Sequence, residues 1–130
     1  MLLKKTPTKM TAGFNQTRTK IRWNHCSLRT WLNTDFLSQT FSPSEQKILT
    51  SRESDLTDSV FLLSSEEAEH YNQLLRKTDY NWWLRTPGAF SDTATFVSPS
   101  NRVMDYGYPV NNTEIRNRPA IWVACTISGT

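Results

Sequence analysis

The run Trp-Trp-Leu-Arg-Thr-Pro-Gly at residues 82–88 divides the chain into two halves of different character. Side chains alternate along an extended strand, so Trp82 and Trp83 point to opposite faces. Two large aromatic side chains on opposite faces predict a central strand that is covered on both sides. The Pro87-Gly88 pair predicts the turn that ends it. We expect both tryptophans to pack in the core, and a platform that stacks on a sugar or a base is the alternative.

Length and charge restrict the class of protein. At 130 residues the chain has the length of one domain. Aromatic residues make up 12% of the sequence, and the formal net charge is +3. The early basic residues lack the interleaved aromatic residues of a nucleic-acid site, so no nucleic-acid partner is predicted. We expect residues 1–20 to form a basic, poorly ordered tail and residues 21–130 to form a single domain. The basic residues concerned are Lys4, Lys5, Lys9, Arg18, Lys20 and Arg22.

The sequence contains neither an apolar stretch long enough to span a membrane nor the apolar region of a signal peptide. We therefore expect no membrane insertion and, for the chain as it stands, a cytoplasmic location. Cys26 and Cys125 are the two cysteines, and they do not form a CxxC motif. His25 and His70 are far apart in sequence, so no metal site and no cofactor are predicted.

The half before residue 82 shows helical patterns. Leu28, Trp31, Leu32 and Phe36 recur at helical spacing, which predicts a helix over 27–37 with Ser27 as its N-cap. Two capping boxes begin the helices predicted over 43–49 and 65–75. Their Ser and Glu residues are Ser42 with Glu45 and Ser64 with Glu67. Residues 50–59 are expected to form a polar loop, and 60–63 a short buried strand or an extended segment that leads into the next helix.

The half after residue 88 shows the alternation of strands. Residues 93–97 and 102–106 are predicted to form a hairpin around a turn at 99–101, and Gly107 and Pro109 are expected to end it. A last strand is predicted over 119–127. Helices followed by antiparallel strands indicate an α+β fold.

Several motifs taken together resemble a bacterial family of uncharacterised domains. Its Trp-Trp-Leu-Arg-Ser-Pro-Gly run is matched at 82–88, and its Val-Arg-Pro-Ala-Leu run is matched by Asn-Arg-Pro-Ala-Ile at 117–121. The resemblance covers about residues 21–123. The other matching positions are Trp23, Ser-Leu-Arg-Thr-Trp-Leu-Asn at 27–33, Phe-Ser-Pro-Ser-Glu at 41–45, Val-Phe-Leu-Leu-Ser at 60–64 and Glu67-Ala68.

The resemblance implies a C-type-lectin-like fold, akin to formylglycine-generating enzymes and to the variable proteins of diversity-generating retroelements. Two to three N-terminal helices then pack on a small twisted antiparallel sheet. Relatives carry one more strand or hairpin before Trp23, so we expect the strand 119–127 to have an exposed edge. C-type lectins also imply a disulfide between Cys26 and Cys125, and two buried free thiols are the alternative. The lectin signatures Glu-Pro-Asn and Trp-Asn-Asp are absent, so no calcium site is expected.

Residues 89–117 are the expected recognition surface, because they combine Tyr, Ser and Asn with a few arginines. An ordinary polar loop region is the alternative. Trp82, Trp83, Arg85 and Arg118 are expected to be structural, with Glu67 or Asp105 as carboxylate partners for the arginines. The candidate ligand-binding residues are Phe90, Asp92, Thr93, Phe96, Ser98, Asn101, Arg102, Asp105, Tyr106, Tyr108, Asn111, Asn112 and Arg116.

The expected function is non-catalytic binding of a ligand on a protein or glycan surface by these late loops, without enzyme activity. A sharper hypothesis is a retroelement-diversified binder in which residues 89–117 vary. The first alternative is an oxidoreductase related to the formylglycine-generating enzymes, which would need a reactive thiol. The second alternative is a truncated domain without activity.

Overall fold

The computed structural model describes residues 2–3, 14–15, 18–47, 49–50 and 58–123. Short helices precede most of the strands, and the fold is α+β, as predicted. The elements in chain order are β1 (Leu2–Leu3), a 3-10 turn (Trp23–His25), α1 (Ser27–Trp31), a π-helical turn (Leu32–Phe36), α2 (Leu37–Thr40), α3 (Pro43–Gln46), β2 (Leu49–Thr50), α4 (Ser65–His70), a second 3-10 turn (Asn72–Leu74), β3 (Trp82–Pro87), β4 (Thr93–Val97), β5 (Val103–Pro109) and β6 (Ala120–Val123).

The first helical stretch is continuous from α1 to the end of α2, so it runs beyond the predicted end at residue 37. Its N-cap is Cys26 rather than Ser27, because the Cys26 Sγ accepts from the backbone N–H of Arg29 at 3.4 Å. Asn33 lies in the π-helical turn. Its amide nitrogen donates to the carbonyl of Val60 at 2.8 Å, and its amide oxygen accepts from the backbone N–H of Val60 at 2.9 Å. The side chain thus fastens the π-helical turn to the segment that follows residue 58.

Both predicted capping boxes are present. At the start of α3 and of α4 the serine hydroxyl accepts from the glutamate N–H, and the glutamate carboxylate accepts from the serine N–H. Each cap satisfies backbone donors that have no partner within the helix. Both helices are shorter than predicted. α3 ends at Gln46 rather than at residue 49, and α4 ends at His70 rather than at residue 75.

The main sheet has the strand order β3-β4-β5 and is antiparallel. Trp82, Trp83 and Leu84 are fully buried, so both tryptophans pack in the core and the strand is covered on both faces. The prediction that this strand is central is wrong, because β3 lies at one end of the strand order, and its other edge makes an isolated bridge from Trp82 to Arg116. β5 ends at Pro109, as expected, but the expectation that Gly107 ends the hairpin is wrong, because the strand continues through this residue. Gly107 has a φ of 74°, which glycine adopts readily, and it lies in the irregular stretch 105–107 opposite Thr95.

A second sheet has the order β1-β6-β2, so β6 lies between two strands. Ala120 also exchanges two backbone hydrogen bonds with Phe61, of 2.8 and 3.0 Å. The expected exposed edge at the last strand is therefore wrong. Val60 and residues 61–63 are buried as predicted, although Phe61 makes an isolated bridge rather than part of a strand. Residues 124–127 of the predicted last strand lie outside the described residues.

Residues before 21 also contribute to the fold. Leu2 pairs with Ile121 in the second sheet. The buried ring of Phe14 packs against Trp83 with a centroid separation of 5.8 Å. The amide oxygen of Asn15 accepts from the N–H of Ser27 at 2.9 Å. Over residues 1–20 as a whole, the poorly ordered tail stays a prediction. Residues 4–13 and 16–17 lie outside the described part of the chain.

Candidate functional site

Three aromatic rings meet on one face of the main sheet. Tyr106 and Tyr108 are two residues apart on β5, and their rings make an edge-to-face contact at 6.2 Å. Tyr108 stacks on Phe96 of β4, with centroids 4.7 Å apart and an interplanar angle of 11°. Tyr106 meets the same phenylalanine edge to face at 6.1 Å. We call these three residues the aromatic face.

Burial separates the roles of the three rings. Phe96 is 2% exposed, whereas Tyr106 and Tyr108 are 50% and 39% exposed. Aromatic pairs in stacked or edge-to-face geometry gain roughly 0.5–1.5 kcal/mol beyond area burial. A buried ring therefore holds two solvent-facing tyrosines in place, which is the property of a preorganised binding surface.

The turn after β3 places a further exposed aromatic residue near β5. Phe90 is 72% exposed, and Thr93 Oγ1 accepts from its N–H at 3.1 Å and donates to its carbonyl at 2.8 Å. The N–H of Ala89 donates to the carbonyl of Tyr106 at 3.0 Å. Gly88 allows this close approach, since a Cβ there would lie 2.7 Å from the same carbonyl. The turn carrying Phe90 is thus bonded to the strand of the two tyrosines.

Three of the predicted ligand-binding residues are buried and make contacts inside the fold. Thr93 holds the turn at Phe90, and Phe96 supports the tyrosines. Asn101 donates from Nδ2 to the carbonyl of Leu75 at 2.9 Å, and its own carbonyl accepts from Asn72 Nδ2 at 2.7 Å. Each of these side chains has a place inside the fold, which sequence spacing alone does not distinguish from a place on the surface.

The other candidates are at least partly accessible, and several have partners of their own. Asp92 accepts from Arg18 Nε at 2.7 Å. The guanidinium of Arg116 lies 3.2 Å from the ring centroid of Tyr80. Asn112 Oδ1 accepts from the N–H of Glu114 at 2.8 Å. The exposed members are Phe90, Arg102, Asp105, Tyr106, Tyr108 and Asn111, and the half-buried ones are Asp92, Ser98, Asn112 and Arg116.

Arg85 and Arg118, the arginines expected to be structural, differ in their surroundings. Arg85 forms an ion pair with Glu67, one of its two predicted partners, and donates to the carbonyl of Leu62 at 2.7 Å. Arg118 is buried, and its guanidinium lies 5.0 Å from the ring centroid of Trp82. Burial lowers the pKa of Arg118 below the ordinary arginine value.

Cys26 is buried, and burial raises the pKa of its thiol to about 12. The thiol is therefore protonated at neutral pH and is a poor nucleophile. Cys125 lies outside the described residues, so the disulfide implied by the resemblance stays a prediction. Among the described residues, no group of three or more His, Cys, Asp or Glu side chains could hold a metal ion. Within this part of the chain, no helix has the length and apolar character needed to span a membrane.

Asp58 is a structural residue that sequence reasoning missed. Its carboxylate is 3% exposed and accepts from Trp23 Nε1 at 2.8 Å and from Arg29 Nε at 2.7 Å. It thereby joins two motif positions, Trp23 and Arg29, to the segment before Val60. The available signal was weak, because Asp58 is one of three acidic residues in the stretch 50–59 that was predicted to be a polar loop.

The described elements define an α+β domain with an exposed aromatic face. The chain belongs to the family described as Domain of unknown function (DUF6273), whose model matches residues 1–125. No curated protein and no solved structure matches the chain.

Proposed function

We propose that this protein is a non-catalytic binding domain that recognises a ligand on a protein or glycan surface through residues 89–117. The aromatic face carries this proposal. Exposed tyrosines held by a buried ring give contact area at a small cost in conformational entropy. Among the described residues, Phe90, Tyr106 and Tyr108 are three of the five large hydrophobic side chains that are exposed.

The charges around these aromatics suit a mixed polar ligand. Arg102 and Asp105 are exposed and precede the two tyrosines on the same hairpin. Polar side chains at the rim of an aromatic centre supply orientation and specificity, while the rings supply most of the affinity. A sugar ring packs its C–H face on an aromatic ring, and a peptide packs an aliphatic or aromatic side chain there.

We also propose that residues 21–130 form one C-type-lectin-like domain, related to the formylglycine-generating enzymes and to variable proteins of diversity-generating retroelements. The motif residues supply contacts of the scaffold, which is what this relationship requires of them. Arg29 of the motif at 27–33 binds Asp58, and Arg85 of the motif at 82–88 binds Glu67. The exposed positions within 89–117 would be free to vary.

A binding screen tests the recognition surface. The labelled 130-residue chain is applied to a glycan array and to a panel of bacterial cells, beside the variants Tyr106→Ala and Tyr108→Ala. We expect binding to fall at least about tenfold in both, as for the loss of a central interface residue. Leu74→Ala is the matched control, because Leu74 is exposed but lies outside 89–117. Full binding by both tyrosine variants would contradict the proposal.

Diversification has its own test, which is deep sequencing of the codons for residues 82–121 across one bacterial population. Substitutions concentrated in 89–117 at adenine-containing codons, with Trp82, Trp83, Arg85 and Arg118 unchanged, would support a diversified binder. A uniform sequence would refute diversification and leave a binder with a fixed ligand.

The oxidoreductase alternative receives no support from Cys26, because its buried thiol stays protonated at neutral pH. We therefore retain binding as the proposed function.

A further inference from the structure

A pocket outside residues 89–117 is built from hydrogen-bond donors. It has a volume of about 350 Å³ and lies where the first 3-10 turn meets the start of α4 and the end of β3. We call it the arginine pocket. It is lined by Arg22, Trp23, Asn24, Ser64, Arg85, Thr86 and Pro87.

The two arginines of this pocket differ in the contacts that their side chains make. Arg85 is held in place, because its Nη1 donates both to Glu67 and to the carbonyl of Leu62. Its Nε and Nη2 have no hydrogen-bond partner among the described residues. Arg22 is exposed and makes no ion pair within that part of the chain. One fixed and one adjustable guanidinium therefore line the same cavity.

The hydroxyl groups of Ser64 and Thr86 can also donate hydrogen bonds into the pocket. Ser64 Oγ accepts from the N–H of Glu67 at 3.1 Å, and Thr86 Oγ1 accepts from the N–H of Ser65 at 2.8 Å. Each hydroxyl therefore still has its own hydrogen to donate. No carboxylate is among the lining residues.

The free donors of the arginine pocket suit a ligand whose polar atoms only accept hydrogen bonds. The guanidinium fork fits the oxygen spacing of phosphate and carboxylate, and the bonds to it are strengthened by charge. A cavity of this volume has room for such a group and for the part of a ligand that carries it. The side chain of Trp23 and the ring of Pro87 supply apolar wall.

We propose that the arginine pocket binds a small oxyanionic group, a phosphate or a carboxylate. The site goes beyond the proposed recognition surface, because all of its lining residues precede residue 89. It also assigns Arg85 a second role in addition to its ion pair with Glu67.

Nuclear magnetic resonance of the ¹⁵N-labelled full chain tests the proposal. Inorganic phosphate and, separately, acetate are titrated against chloride at constant ionic strength, and the Nε–Hε signals of Arg22 and Arg85 are followed. We expect saturable shifts of both signals with at least one anion. Saturation with phosphate identifies a phosphoryl group as the ligand chemistry, and saturation with acetate identifies a carboxylate.

Arg22→Gln is the primary variant, since Arg22 is exposed and makes no ion pair with a described residue, and we therefore expect the variant to fold. We expect anion affinity to fall about tenfold, as for the loss of one charge-assisted contact. Arg76→Gln is the control, an exposed arginine outside the pocket. Arg85→Lys keeps the charge but removes the fork, and should also weaken binding. Linear, unsaturated shifts with both anions, or equal weakening by Arg22→Gln and Arg76→Gln, would overturn the proposal.

Discussion

One carboxylate oxygen of Glu67 accepts hydrogen bonds both from the guanidinium of Arg85 and from the backbone N–H of Ser64. The same atom therefore caps α4 and ties it to β3. Arg85 and Glu67 are both mostly buried, so the pair is less screened by water than a surface ion pair.

Removal of this carboxylate should destabilise the fold. We expect Glu67→Ala to lower the free energy of unfolding by about 2–4 kcal/mol, because it removes a cap and leaves Arg85 without its counter-charge. Urea denaturation measures the change. Glu69→Ala, at an exposed position of the same helix, should change it by less than about 0.5 kcal/mol. Equal effects of the two substitutions would contradict this role of Glu67.

Gly107 should tolerate no side chain. Its φ of 74° is unfavourable for other residues, and a Cβ would lie 2.4 Å from the carbonyl oxygen of Ala94. We expect Gly107→Ala to cost at least about 3 kcal/mol of the free energy of unfolding, measured by urea denaturation. Ala89→Gly, at an exposed position nearby, serves as the control. A free energy of unfolding equal to that of the wild type would contradict this prediction and would show that β5 relaxes around the new methyl group.

Asp58 should be among the most sensitive polar positions. Asp58→Ala removes a buried carboxylate and leaves Arg29 and the indole N–H of Trp23 without their acceptor. We expect a loss of about 3–5 kcal/mol in the free energy of unfolding, followed by tryptophan fluorescence during denaturation. Asp35→Ala, at an exposed position of the π-helical turn, should cost less than about 0.5 kcal/mol.

Cys26 should make stability depend on alkaline pH. Burial raises the pKa of its thiol from 9.0 in the unfolded chain to about 12 in the folded one. Between these values the unfolded state loses the proton and the folded state keeps it, so the contribution is complete below about pH 9 and falls as pH rises. The stability difference between wild type and Cys26→Ala should narrow by about 1.4 kcal/mol between about pH 8 and about pH 10. A difference that is constant over this range would refute the protonated buried thiol.

The aromatic face should separate stability from binding. We expect Phe96→Ala to cost about 3–5 kcal/mol of the free energy of unfolding, because it leaves a cavity beneath both tyrosines. Tyr106→Ala should cost less than about 1.5 kcal/mol, since half of the side chain is already exposed. Thermal denaturation of the two variants measures this contrast. A larger loss from Tyr106→Ala than from Phe96→Ala would reverse the assigned roles.

Local chemistry in the sequence determined where two of the helices begin and which strand is covered on both faces. Ser42 with Glu45 and Ser64 with Glu67 predicted both helix starts, because a capping box needs hydrogen bonds across only three residues. The adjacent tryptophans at 82 and 83 predicted a strand covered on both faces, because alternation is a property of the extended backbone. The α+β class follows from the order of these local patterns.

The tertiary structure alone decided which residues meet across long separations in sequence. The pairing of β6 with β1, β2 and Phe61 depends on segments more than fifty residues away, which no local pattern specifies. The partner of Arg29 is Asp58 for the same reason. Phe96, Tyr106 and Tyr108 are all aromatic residues of neighbouring strands, and only their packing determines that the first is covered while the two tyrosines face solvent. The burial of a side chain depends on everything packed around it, and for that reason the sequence alone did not separate the covered residues of the candidate site from the exposed ones.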